Sequence, residues 1–322
     1  MTTLDDTAVL GGDRVAERML HAERILADVT GVHGDALASA AAGTLSAGGK
    51  RLRPLLVLLC AGDAEGDAPT RAAGAVELVH TATLVHDDVI DRASLRRGRE
   101  TVFAARGRAA ATATGDFVFS RAFALLAQNR DREQVRVLAD ACLALAVGEL
   151  AQRRDAYRAD VSPERYVMRC RLKTASLFAA ACRLGALTAD RGAPAAAALE
   201  AFGQDLGVAF QMLDDLLDVT GPPSRTGKHR GTDLLDGTVT LPLILARRED
   251  PALARLDLRT VTTRAEAERI CDRIAGTGAL GETRAQAAAL LAGAKETVRG
   301  AVGRELERTL HSVADRVAER YS

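Results

Sequence analysis

The sequence predicts an all-α fold, and three observations carry that expectation. Only eight of the 322 residues are proline, and none falls in the 93 residues between Pro69 and Pro163, an interval that can hold several uninterrupted helices. Aromatic residues make up 3% of the chain, with no Trp, three Tyr and seven Phe. A core this poor in rings must be built from Leu, Val and Ala, which suits close-packed helices better than a sheet sandwich. Between Ala193 and Thr220, the residues Leu199, Phe202, Leu206, Phe210, Leu213 and Leu217 recur at steps of three and four, the pattern of one apolar helix face.

Taken in order, the expected elements start and stop at specific signals. A helix opens at Thr70 after Pro69, another at Ser162 with Pro163 in its first position, and another at Thr263, where Glu266 completes a capping box. Gly221, Pro222 and Pro223 stop the helix that begins near Ala193, and Gly221 to Asp236, rich in Gly, Thr and charge, reads as a loop. No composition shift marks a linker, so 1–322 reads as a single all-helical domain, with about 1–12 as a flexible N-terminal tail.

Composition narrows the function. The 43 basic and 43 acidic side chains cancel, which disfavours a nucleic-acid partner, and 48% hydrophobic content excludes an intrinsically disordered chain. Cys60, Cys142, Cys170, Cys182 and Cys271 are widely spaced and contain no CxxC pair, which argues against a zinc ribbon or disulfide scaffold and fits a reducing cytosol. Met1 to Asp6 shows no cationic leader segment, and apolar runs such as Leu55 to Gly62 are far shorter than the roughly 20 residues of a spanning helix. The expectation is a cytoplasmic protein without stable membrane insertion.

Two DDxxD motifs stand out: Asp87, Asp88 and Asp91 in HDDVID, and Asp214, Asp215 and Asp218 in LDDLLD. With 26 aspartates in 322 residues, chance supplies roughly 0.17 such motifs, so repetition is itself a signal. At about 100° per residue, Asp87 and Asp91 are expected on the inward side with Val76, Val79, Thr83 and Ile90, while Asp214 and Asp218 flank the stripe of Leu206, Phe210 and Leu217. Carboxylates turned inward repel one another and lose hydration, so they need protonation, cationic side chains or a divalent metal. All-oxygen ligands favour a hard cation such as Mg²⁺, which keeps several waters and bridges to phosphates. Two solvated acidic faces are the competing reading.

A second constellation is basic: Gly48-Gly49-Lys50-Arg51-Leu52-Arg53-Pro54, then Arg96-Arg97-Gly98 just beyond the first acidic motif. Lys50 and Arg53 can converge on one phosphate, and arginine offers it a planar fork of donors. An ordinary charged loop is the plainer alternative. There is no GxxxxGK[ST] and no GxGxxG after a strand, so the phosphate is not expected on a nucleotide.

With these motifs in place, the chain closely resembles the trans-isoprenyl diphosphate synthases, or polyprenyl synthetase family, from about Gly48 to its C-terminus. GGKRLRP, ELVHTATLVHDDVIDRASLRRG, GDFVF, GEL, RLKTASLF, GQDLGVAFQMLDDLLD, TGKHRGTD and TLPLILA occur in the family's order and spacing. The resemblance implies an isoprenoid-synthase-type bundle of antiparallel helices around a deep central cavity, with the acidic motifs facing across its mouth, and a homodimer. It makes Asp87, Asp88, Asp91, Asp214, Asp215 and Asp218 the carboxylates for about three Mg²⁺ ions that hold an allylic diphosphate. It assigns Lys50, Arg53, His80 and Arg97 to isopentenyl diphosphate, and Arg96, Lys173, Thr174, Gln211 and Lys228 to the allylic diphosphate. The implied catalytic set is Asp87, Asp88, Asp91, Lys173, Asp214 and Asp215. Thr232 and Thr238 stand where many relatives carry lysine.

The implied reaction is ionisation of the allylic C–O bond, attack by the isopentenyl double bond, and loss of a proton to the released diphosphate. Metal and basic side chains stabilise the charge building on the leaving group, and no side-chain nucleophile is needed. In the family, bulky residues just before the first DDxxD stop chain growth. Ala82 and Thr83 are small, which implies a long product of about C30 to C50, whereas Phe117, Phe119 or Phe123 could limit growth to about C20. The alternatives are therefore a geranylgeranyl or farnesyl synthase, then a class I terpene cyclase, disfavoured by the scarcity of aromatic walls, and a non-catalytic partner subunit, disfavoured by the two complete acidic motifs.

Overall fold

The structure is a computed structural model and describes residues 4–31, 51–96, 98–221 and 229–320. In chain order the elements are α1 (Leu4–Gly31), α2 (Leu52–Ala61), α3 (Ala68–Ile90), β1 (Leu95–Arg96), β2 (Arg99–Glu100), α4 (Val102–Ala127), α5 (Arg132–Asp155) and α6 (Pro163–Cys170). A π-helical turn at Arg171–Ala175 leads into α7 (Ser176–Thr188) and α8 (Ala193–Thr220). Then come α9 (Thr232–Leu235), α10 (Leu241–Glu249), α11 (Pro251–Ala254), a 3-10 turn (Leu258–Thr260), α12 (Arg264–Ala275), α13 (Ala279–Val298) and α14 (Arg304–Arg320). The all-α expectation is met: among the described residues the only strands are β1 and β2, which pair antiparallel with Leu95 opposite Glu100 and Arg96 opposite Arg99. No described helix is long and apolar enough to cross a membrane.

The local signals act as the chemistry of caps requires. Ser162 Oγ accepts from Arg165 N with Pro163 in the first turn, and Thr263 and Glu266 form the reciprocal capping box. α8 ends at Thr220, before Gly221. The helix expected from Thr70 instead opens at Ala68 behind Asp67, with Pro69 inside its first turn. A proline costs nothing there, because the first amide groups of a helix have no intrahelical acceptor to lose. The segment expected as a tail is helical from Leu4, with a break at Gly12 (φ 70°).

The chain divides into two compact units: Met1–Cys142, Leu177–Glu200 and Gly300–Leu310 form one, and Leu143–Ser176, Ala201–Arg299 and His311–Ser322 the other. In the first, α1, α2 and α4 pack on α3, which is buried on every side from Ala72 to Val79. Val85, Val89, Val102 and Ala111 close the end of that core beside Phe103. In the second, α10 packs on α6, α12 and α13, and α6 runs directly into the π-helical turn. The core is the Leu, Val and Ala core that the composition implied, with Tyr166, Phe178 and Phe202 its largest fully buried rings.

The facing of the acidic motifs departs from expectation. The middle aspartates are the buried ones, Asp88 at 3% exposure and Asp215 at 5%, whereas Asp91, Asp214 and Ile90 are exposed and Asp87 and Asp218 are half-buried. α3 is wrapped along most of its length, so it has no single stripe to extrapolate. Its buried set near the end runs Leu78, Thr81, Ala82, Val85, Asp88 and Val89, and Asp91 already lies past the last helical residue. In α8 the buried set near the motif is Val208, Ala209, Met212, Leu213, Asp215, Leu216 and Val219, so of the expected stripe Leu199, Phe202, Leu206 and Leu213 are buried while Phe210 and Leu217 are half-buried.

Candidate active site

In the first unit, the acidic motif closes α3. Asp88 accepts from Arg96 Nε at 2.8 Å, a bond from the β1 strand back to the helix that buries the carboxylate. Asp91 N–H donates to Asp87 O at 2.8 Å, so these two aspartates sit one turn apart. The preceding residue fastens this end to α4: the His86 ring stacks on Phe119 with centroids 5.7 Å apart, and its Nε2 lies 3.3 Å from Asp116 Oδ1. Gly115 makes the approach possible, since a Cβ there would overlap the imidazole. Upstream, Ala82 is fully buried, and Thr83 is half-buried with its hydroxyl bonded to His80 O at 2.7 Å. Phe117, Phe119 and Phe123 lie half-buried on α4.

The basic segment enters α2 through Arg51, which caps the helix in the left-handed region (φ 45°). Its guanidinium is held by Glu23 of α1 and by Glu77, which is buried on α3. Two residues on, the Arg53 guanidinium stacks over Phe178 at 4.4 Å. Arg53 is only half-buried as a whole residue, yet its Nε is buried with no hydrogen-bond partner among the described residues. Burial lowers its pKa to about 10, Glu77 opposing the shift, so it remains a cation at neutral pH. His80 is half-buried on α3. Lys50 and Arg97 lie outside the described residues, as does Lys228 near the second motif.

The second unit gathers its candidates more tightly. Asp215 Oδ2 accepts from Tyr166 OH at 2.6 Å and Oδ1 from Gln211 Nε2 at 2.7 Å, while Gln211 Oε1 accepts from Thr174 Oγ1 at 2.7 Å. Burial first, then the charges of Asp214 and Asp218, push the Asp215 pKa up to about 7 against these hydrogen bonds. Burial also raises the Tyr166 hydroxyl well above its ordinary range. Lys173 pairs with Glu149 of α5. Both Lys173 and Thr174 lie in the π-helical turn, a geometry that recurs at functional sites because it offsets side chains from the regular helical register. Lys173, Thr174, Gln211, Asp215, Asp233 and Thr238 all line one cavity of about 140 Å³.

Asp218 is arranged differently. Its Oδ1 and Oδ2 accept the backbone N–H groups of Thr232 and Asp233 at 3.2 Å each, so it caps the start of α9. Asp88, Asp215 and Asp218 thus accept from Arg96, from Tyr166 and Gln211, and from two backbone amides respectively.

Sequence reasoning singled out none of Tyr166, Glu149 and Glu77, and it placed Arg51 only within a basic run, without its carboxylate partners. Glu149 sat in the GEL motif, and Tyr166 precedes Lys173 by seven residues, two helical turns, which is the one signal that could have drawn attention to it. For Glu77 no local signal exists, because its partner arrives from another helix.

A family model described as polyprenyl synthetase matches residues 35–275. Heptaprenyl diphosphate synthase component 2 of Geobacillus stearothermophilus is 43% identical over 222 residues, covering 68% of this chain and 69% of that one. Octaprenyl diphosphate synthase of Escherichia coli (strain K12) is 39% identical over 204 residues, 63% of each, so the match spans less than two thirds of that relative. Among solved structures, polyprenyl synthase from Caulobacter crescentus CB15, complexed with calcium and isoprenyl diphosphate, aligns with a TM-score of 0.90 at 35% identity, over 99% of this chain and 98% of that one.

Proposed function

The chain belongs to the polyprenyl synthetase family, and on that premise we propose that it is a trans-prenyltransferase, adding isopentenyl diphosphate head to tail to an allylic diphosphate and giving a long-chain polyprenyl diphosphate. The observation that carries the reading is the constellation around Asp215: a lysine in a π-helical turn and a Thr174–Gln211–Asp215 hydrogen-bond chain lining one cavity, in a chain similar to enzymes named heptaprenyl and octaprenyl diphosphate synthase.

The donor set fits a hard divalent cation, Mg²⁺ on this reading. Among the described residues no three His, Cys, Asp or Glu side chains are grouped as a ready-made metal site. Carboxylates at partly solvated positions, such as half-buried Asp87 and exposed Asp91 and Asp214, suit a cation that completes its shell with water and diphosphate oxygens. When bound, it stabilises the negative charge that builds on a departing diphosphate. The Caulobacter relative, described with calcium and isoprenyl diphosphate, supports the same pairing of ligands.

The chain's own residues do the rest. Arg53 and His80, with Lys50 and Arg97, hold isopentenyl diphosphate; Lys173, Thr174, Gln211 and Arg96, with Lys228, hold the allylic diphosphate. Arg96 donates Nε to Asp88 at 2.8 Å, and a guanidinium carries further donors in a planar fork that suits phosphate oxygens. With the leaving group so held, the allylic C–O bond ionises, the isopentenyl double bond attacks the cation, and a proton is lost to the released diphosphate. Removing one such charge-stabilising donor costs about 10²–10³ in turnover where comparable groups have been deleted.

The whole chain is read as one cytoplasmic catalytic domain that pairs with a second copy of itself. The name of the Geobacillus relative, a component of a synthase, favours one other arrangement, in which turnover needs a different second chain. Supplying the purified protein with labelled isopentenyl diphosphate, C10, C15 or C20 primers and Mg²⁺ tests the reading. A ladder of longer prenyl diphosphates, abolished by chelator, is expected. Cyclic hydrocarbon without isopentenyl diphosphate, or no turnover until a second chain is added, overturns it.

A further inference from the structure

Tyr166 is among the largest fully buried side chains of the protein, and its hydroxyl meets the second acidic motif rather than a backbone group. With Tyr166 on Oδ2 and Gln211 on Oδ1, both oxygens of the buried Asp215 carboxylate have a protein donor. Gln211 cannot turn over without losing a bond, because its Oε1 is occupied by the Thr174 hydroxyl. The ring is fixed from behind as well. The Arg169 guanidinium lies 5.7 Å from its centroid and donates to Val239 O at 2.6 Å and to Asp155 Oδ2 at 3.4 Å. Asp155 is itself fully buried and accepts Arg165 Nε at 2.7 Å. A tyrosine gripped on its face and bonded at its tip has one orientation open to it.

We infer that Tyr166 is a positioning residue for the proposed transferase reaction: its hydroxyl fixes the Asp215 carboxylate, and through Gln211 the Thr174 hydroxyl, so that the cavity wall meets a metal-bound diphosphate in one arrangement. The inference rests on the transferase reading. If the ring only filled space, phenylalanine would serve as well. A bond between a buried carboxylate and its donor is among the stronger hydrogen bonds in proteins, so its loss is expected to cost about tenfold to a hundredfold in the step that depends on that geometry.

The test compares Tyr166→Phe, Asp215→Asn and the double variant in the full chain. It measures kcat and KM for isopentenyl diphosphate, thermal midpoint, and Mn²⁺ affinity in the presence of inorganic diphosphate by electron paramagnetic resonance. Tyr166→Phe is expected to lower kcat about tenfold to a hundredfold, leave KM within about twofold, and weaken Mn²⁺ binding several-fold. The double variant should be no more than about twofold slower than Asp215→Asn alone, because both changes break one unit. Wild-type kcat in Tyr166→Phe, or losses that multiply in the double variant, overturns the inference. If Tyr166→Phe does not fold, Gln211→Met breaks the same chain from its other side, and wild-type turnover there is equally fatal. A wild-type protein that transfers nothing to any primer sinks the transferase reading instead, and the Mn²⁺ measurement then still decides Tyr166.

Discussion

Gly148 of α5 and Lys173 of the π-helical turn approach so closely that a Cβ on the glycine would stand 2.5 Å from the Lys173 backbone nitrogen and 2.8 Å from its Cα. The neighbouring Glu149 carries the carboxylate that pairs with Lys173. One glycine therefore sets both the distance between the two segments and the partner of a lysine in the cavity wall.

Gly148→Ala should force the two segments apart. Backbone cannot yield as a flexible side chain can, so a cost of about 1–3 kcal/mol is expected, together with lower turnover as Lys173 moves. Gly293→Ala on α13, where an added Cβ meets nothing within 4 Å, should be neutral or stabilising by up to about 1 kcal/mol. Thermal melts and the labelled-substrate assay on both variants check this; equal behaviour of the two contradicts it.

Arg51 should matter more to folding than its place in a charged loop implies. Glu77 is buried, and removing its cation in Arg51→Met leaves a carboxylate inside the first unit, a change expected to cost about 3 kcal/mol. Glu23→Gln, which breaks the more exposed arm of the same pair, should cost no more than about 1 kcal/mol. The urea midpoints of the two variants provide the comparison.

Product length should respond to the residues just before Asp87. Thr83→Phe places a ring at a half-buried position and is expected to shorten the products without unfolding the chain. Ala82→Phe should shorten them too, but at an overpacking cost of about 1–3 kcal/mol because Ala82 is fully buried. An unchanged product ladder from both variants would place the stop elsewhere, with Phe117, Phe119 and Phe123 next to be tested.

An exposed apolar stripe on α5 is where self-association should be lost first. Leu143 (66% exposed), Val147 (46%) and Leu150 (71%) follow one another at steps of four and three, on a face otherwise carrying charge. Leu150→Glu is expected to convert a dimer to a monomer in light scattering coupled to gel filtration. A wild-type monomer, or a dimer indifferent to the change, rejects the pairing.

Much of the protein was legible in one dimension wherever the cause is local. The caps at Ser162 and Thr263 and the stop at Gly221 depend on residues within a turn of one another, so the order of residues suffices to read them. The all-α class follows from proline spacing and a core with few rings. The two DDxxD motifs and the lysine and threonine of RLKTASLF were visible for the same reason, as short strings of fixed spacing.

Which aspartate turns inward was decided elsewhere. Periodicity locates a face only when a helix has one buried side, and α3 is buried on every side from Ala72 to Val79, so a stripe read through that stretch misplaced the face at the motif, where Asp88 rather than Asp87 or Asp91 is buried. The partners of the buried charges come from segments far away in the chain: Tyr166 for Asp215, Glu77 for Arg51, Glu149 for Lys173. Spacing along the sequence determined that carboxylates and cations would be present in clusters. Only packing decided which of them are desolvated and therefore bound to one another, because the cost of burying a charge depends on what the fold brings against it.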